Sequence, residues 1–128
     1  MFKLRSDPAR DIVHFVCRGN VTTTDLAGHR RAAILAARDL GRPFVVATEL
    51  TECATISGTA AQELAKTTRQ LRPFGLANEL RLVTEETPDA VTAAFEHSET
   101  DVPVDVVPVP DPGAVGSTID AHLDGARI

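Results

Sequence analysis

Aromatic residues are scarce: the 128-residue chain has five Phe and neither Trp nor Tyr. Binding of single-stranded nucleic acid by base stacking needs aromatic platforms, so the composition argues against that class of function. The formal charge of −5 points away from phosphate backbones and anionic membrane surfaces, whose own field repels such a molecule. No apolar run approaches the ~18 residues of a membrane span. The opening MFKLRSDPARD carries no signal-peptide core. No nucleic-acid binding, no membrane insertion and a cytoplasmic location are therefore expected. Cysteine is limited to Cys17 and Cys53, in no CxxC arrangement, which is the pattern of two reduced, buried structural thiols. There is no GxxxxGK[ST] phosphate loop, no HxH and no HExxH. The histidines His14, His29, His97 and His122 are too dispersed for a local metal site, so neither metal nor cofactor is expected. They read as surface or edge residues, with His14 the one placed to line a binding surface.

What remains is an ordinary soluble composition, 43% hydrophobic and 24% charged, in a length that suits one domain over residues 1–128. Strand and helix patterns alternate. Residues 2–5 and 12–18 alternate apolar with charged or β-branched residues and predict a hairpin around Asp7-Pro8. Thr22 and Asp25 resemble a capping box opening a helix that reaches Leu40, where Gly41 and Pro43 stop it. Residues 44–48 are a nearly continuous apolar strand. A second helix is expected over 59–72, capped by Thr59 and ended by Pro73, and a fourth strand over 79–84. Thr87-Pro88 opens a short helix to about His97, Pro103 and Pro108 bracket a strand at 104–107, and Asp111-Pro112 precedes a last helix ending at Gly125.

This β-β-α-β-α-β-α-β-α order predicts an α/β fold with a five-stranded, mostly parallel sheet, its first strand antiparallel. Charges recur at alternate positions: Lys3 and Arg5, His14 and Arg18, Glu79 and Arg81, and Asp105. One sheet face therefore carries charges on four strands of the five, and a helix-covered face would not tolerate them without pairing. Four helices mainly on one face, with the other face open or covered by a partner, is the expected layering.

Two short passages, Gly19-Asn20-Val21-Thr22-Thr23-Thr24-Asp25 and Thr55-Ile56-Ser57-Gly58, together with this element order resemble the SpoIIAA-like fold. That fold includes the STAS domains, the sulfate-transporter and anti-sigma-factor-antagonist modules. The resemblance implies a β-α superhelix whose strands neighbour one another in chain order. In antagonist members an Asp-Ser-Ser/Thr-Gly loop opens the second helix, and its first hydroxyl residue is phosphorylated by a partner kinase. Ser57 and Gly58 match the last two positions, whereas Thr55 stands in the place of the Asp and Ile56 in that of the phosphoacceptor.

The resemblance implies a non-catalytic regulatory or protein-interaction module. Its partner or regulatory loop is Thr55, Ser57, Gly58 and Thr59, with Lys66, Arg69 and Arg72 as a docking row and His14, Arg18, Glu79 and Arg81 as an open sheet face. A protein partner is expected, and a second copy of the chain is one candidate. Residues 1–42 hold eight Lys/Arg against four acids, while residues 85–128 hold one Arg against ten acids, so the two ends are electrostatically complementary. Glu49 and Glu52 close the central strand, where parallel sheets usually bind ligands, but no third catalytic partner accompanies them. The alternative function is a carrier or sensor of a small apolar ligand held between alanine-rich helices and the sheet.

Overall fold

A computed structural model describes residues 1–96 and 100–126. The elements are β1 (Phe2–Asp7), β2 (Ile12–Val21), α1 (His29–Arg38), β3 (Phe44–Ile56), α2 (Gly58–Gln70), β4 (Leu76–Val83), α3 (Asp89–Glu96), β5 (Val104–Pro108) and α4 (Val115–Ala126). The five strands form one sheet in the order β1-β2-β3-β4-β5. β1 runs antiparallel to β2, pairing Leu4 with Phe15, and the remaining neighbours are parallel. His97, which was expected to end the third helix, lies outside the described residues. No helix among the described residues is long and apolar enough to cross a membrane.

Strands that add in chain order through right-handed crossovers place every connecting helix on one face. α1, α2 and α3 accordingly bury Ala33, Ala37, Ala60, Ala61, Leu64, Val91 and Phe95 against Val13, Phe15, Cys17, Phe44, Val46 and Leu50. The small alanines bring helix and sheet backbones close together, and Phe15, Phe44 and Leu64 fill the space between them. Phe2 leans on Phe15 at a centroid separation of 5.7 Å and closes the β1 end of this layer.

α4 departs from the other three. It leaves β5 and lies across the opposite face, where Val115 and Ile119 pack on Ile12, Ala47, Leu80, Leu82 and Val107. Arg10, in the β1–β2 turn, anchors it through Nε–Asp120 Oδ1 at 2.6 Å and Nη2–Asp120 Oδ2 at 3.0 Å. The second face is thus partly covered by the chain itself, where the sequence predicted a face left open or covered by a partner.

Local differences have local causes. The Thr22 N–H donates to Asp25 Oδ2 at 2.8 Å, but the turn it caps is a short 3-10 helix, Thr23–Leu26. Gly28, at φ +76, redirects the chain before α1 begins, so the expected single helix is split. β3 runs well past the expected end at residue 48, which puts Glu49 and Glu52 inside the strand rather than at its tip. α2 is capped by Ser57, whose Oγ accepts from the Ala60 N–H at 3.1 Å, and not by Thr59.

Candidate functional site

The two passages that carry the family resemblance meet at the end of the sheet where β2 and β3 finish. Parallel pairing sets Asn20 beside Thr55 and Val21 beside Ile56. The Thr55 hydroxyl donates to Asn20 Oδ1 at 2.7 Å, and the Ser57 N–H donates to the Val21 carbonyl at 3.1 Å. Asn20, Thr55, Ser57, Gly58 and Thr59 are all exposed. Asp25 stands in the same region, its carboxyl held below the usual range first by the Thr22 backbone N–H. A Cβ on Gly58 would touch nothing, so the fold does not itself require glycine at that position.

The docking row begins beyond this loop. Lys66 and Arg69 are exposed on α2, while Arg72 falls in the 3-10 turn Arg72–Phe74 that follows the helix. Arg72 Nη1 lies 4.0 Å from Asp101 Oδ2. On the neighbouring helix, Arg30 Nη2 reaches Glu63 Oε2 at 3.0 Å and ties α1 to α2.

The four residues expected on one open face are divided between two. Register sets Val13 beside Val46 and Val46 beside Glu79, and all three point toward α1–α3. Glu79 and Arg81 are therefore covered, at 2% and 8% exposure. Arg81 Nε donates to Glu79 Oε2 at 2.9 Å, and the Thr48 hydroxyl donates to Glu79 Oε1 at 3.0 Å. The Arg81 guanidinium sits over the Phe95 ring of α3, 5.3 Å from its centroid. Burial drives the Glu79 carboxyl up, with Arg81 opposing the change. The pair is satisfied within the core, which is how a covered face accommodates charge. It cannot serve as an open docking surface.

His14 and Arg18 lie on the other face, beside α4. His14 Nε2 is 3.8 Å from Glu49 Oε2, and Arg18 Nε is 3.8 Å from Glu52 Oε1. Both distances allow ionic attraction and exceed hydrogen-bonding range. Burial, aided by Arg5 and Arg10, holds the His14 imidazole below its ordinary range, with Asp7 acting in the opposite sense. Burial likewise raises the Glu49 carboxyl, with Arg18 and Arg5 pulling it down and Glu52 pushing it up. His14, Arg18 and Glu49 line a cleft of about 390 Å³ closed by Pro112, in the turn before α4, and by Val115, Gly116 and Ile119 of α4. Sequence reasoning missed this cleft because it depends on α4 crossing to the second face, for which Asp111-Pro112 gives a helix start but no direction.

The other candidates have structural duties. His29, expected near the surface, is buried: its Nδ1–H donates to the Leu26 carbonyl at 2.7 Å. In that tautomer its Nε2 accepts from the Thr67 hydroxyl, also at 2.7 Å. His122 Nε2 lies 3.3 Å from Asp105 Oδ2, linking α4 to β5. Cys17 and Cys53 are buried free thiols, and burial pushes both up, away from reactive thiolate. Among the described residues, no group of three or more His, Cys, Asp or Glu side chains is placed to hold a metal ion. Comparison with family models, with curated proteins and with solved structures finds no match to this chain.

Proposed function

We propose that this chain is a non-catalytic regulatory or protein-interaction module of the STAS type. It docks a protein partner through the end of the sheet where β2 and β3 finish and along the exposed side of α2. The observation that carries the reading is the bond from Thr55 Oγ1 to Asn20 Oδ1. It joins two exposed segments 35 positions apart into one surface, and those are the segments that resemble the family. Gly58 supports the same reading: a glycine the fold does not need leaves room for another backbone to approach the start of α2.

Lys66, Arg69 and Arg72 extend the surface with positive charge, which suits an acidic partner. A second copy of the chain could supply that acid, since residues 85–128 are strongly acidic. The Ser57 Oγ accepts the bond that caps α2, and the residue is exposed. A phosphate on Ser57 or Thr55 would add close to two negative charges at the start of a helix, where the dipole favours them, and would change what the surface attracts.

The test is affinity capture at low and high salt with the wild type, Ser57→Glu and Arg69→Glu. A partner held by the wild type at low salt, weakened by salt and lost from the variants, is the expected result. Identical partner sets from all three proteins would overturn the reading. Ser57→Ala serves as the stability control, because losing the cap costs about 1 kcal/mol without adding charge.

A further inference from the structure

The cleft beneath α4 holds polar groups that the partner surface does not use. His14 Nε2 and Arg18 Nε are both shut off from solvent and meet no hydrogen-bond acceptor among the described residues. Buried donors in folded proteins are nearly always partnered, so two in one cleft call for an explanation. Glu49 is the converse: a mostly covered carboxylate that Arg18 and Arg5 act on through charge and that no side-chain donor among the described residues meets with a hydrogen bond. Arg10 is already committed to Asp7 and Asp120. Arg5 forms no ion pair among the described residues, yet lies close enough to act on both His14 and Glu49. Among the described residues, the side-chain groups left without a hydrogen bond thus comprise a basic side (Arg5, Arg18 Nε and the His14 ring) and an acidic one (Glu49), with only the 3.8 Å contacts of His14 to Glu49 and of Arg18 to Glu52 between opposite charges. A simple anion would meet the Glu49 carboxylate, and a simple cation would meet Arg5 and Arg18. A ligand carrying both charges avoids each conflict. The remaining wall is aliphatic, from Ile12, Val115 and Ile119.

We propose that this cleft binds a free aliphatic α-amino acid. The ligand carboxylate accepts hydrogen bonds from His14 Nε2 and Arg18 Nε once those two side chains turn into the cleft, with Arg5 adding charge. The ammonium group donates to Glu49, and the side chain lies against Ile12, Val115 and Ile119. The site is on the opposite sheet face from α2, so its variants leave Ser57 and Arg69 untouched.

The experiment uses L-leucine as probe, followed by calorimetry and by the NMR resonances of the His14 ring. Isocaproate lacks the ammonium group, isoamylamine lacks the carboxylate, and glycine lacks the aliphatic arm. Leucine should bind saturably, and each of the three analogues should bind at least about tenfold more weakly. A bound carboxylate also raises the titration midpoint of His14, which burial, Arg5 and Arg10 otherwise hold down while Asp7 and Glu49 face the ring with the opposite charge. Glu49→Gln should erase the preference for leucine over isocaproate while still binding isocaproate, which shows that the variant is folded. No saturable response to leucine up to about 10 mM would overturn the proposal, as would isocaproate binding as tightly as leucine.

Discussion

His14 shows how one side chain records its surroundings in the pH dependence of the whole protein. Its folded-state value lies below the ordinary 6.5, chiefly through burial. Below 6.5 the unfolded chain takes up a proton that the folded chain refuses, so stability falls on acidification until the folded value is reached. Glu49 acts in the opposite sense: its carboxyl is raised, so its contribution is complete at low pH and lost as pH climbs through its folded value. Replacing His14 with Gln should therefore flatten the decline between about pH 7 and about pH 5.5. Urea midpoints of the two proteins across that range are the measurement, and parallel curves would contradict the assignment. At this scale the sequence was partly legible. Thr22 with Asp25 could be read from residue type and spacing, because capping is a local matter, whereas the cap of α2, expected at Thr59, is Ser57. The burial of His29 could not, since its partner Thr67 is far away in the chain and becomes a neighbour only when α1 and α2 pack.

Among elements, β4 is the instructive case. Its alternation of Glu79 and Arg81 with Leu80 and Leu82 is plain in the sequence, and period two correctly separates the strand into two sides. Alternation alone does not say which side faces which layer, and a shift of one residue exchanges them all. The register with β3 decides, sending Leu80 and Leu82 toward α4 and the charged pair under α3. The pair makes a quantitative expectation possible. Arg81→Met leaves Glu79 buried without its partner and should cost about 3–5 kcal/mol. The double variant Glu79→Leu, Arg81→Met should recover most of that loss, because both desolvation penalties disappear together. Chemical denaturation of the three proteins reads the difference, and a double variant no more stable than the single one would show the pair to be worth more than its burial costs. The order of elements was the most legible feature, since turn residues and helix caps punctuate nearly every junction. Element ends shifted where pairing with a neighbour extends a strand, as in β3.

At the scale of the molecule, the second sheet face distinguishes this fold from a simple two-layer arrangement. α1–α3 cover most of one side, where Val106 at the β5 edge stays exposed, while α4 covers the other in part and leaves the charged cleft beside it. Truncation after Pro110 should uncover Ile12, Leu80 and Leu82 together. Contiguous apolar surface of that kind drives association, so the truncated protein should self-associate in light scattering and unfold at lower urea than the full chain. A monomeric, equally stable truncation would mean that α4 contributes little to the core. Charge is also distributed at this scale, with basic residues concentrated in the first third and acids in the last.

The neighbour-by-neighbour strand order also bears on synthesis. As a ribosome extrudes the polypeptide, every new parallel strand finds its mate already laid down, and no gap has to be held open for a later insertion. Only the lining of α4 arrives out of step: Leu80 and Leu82 emerge more than thirty positions ahead of Val115 and Ile119, which shelter them. During that interval the nascent molecule wears one finished side and one greasy one, and a chaperone would have its clearest target there.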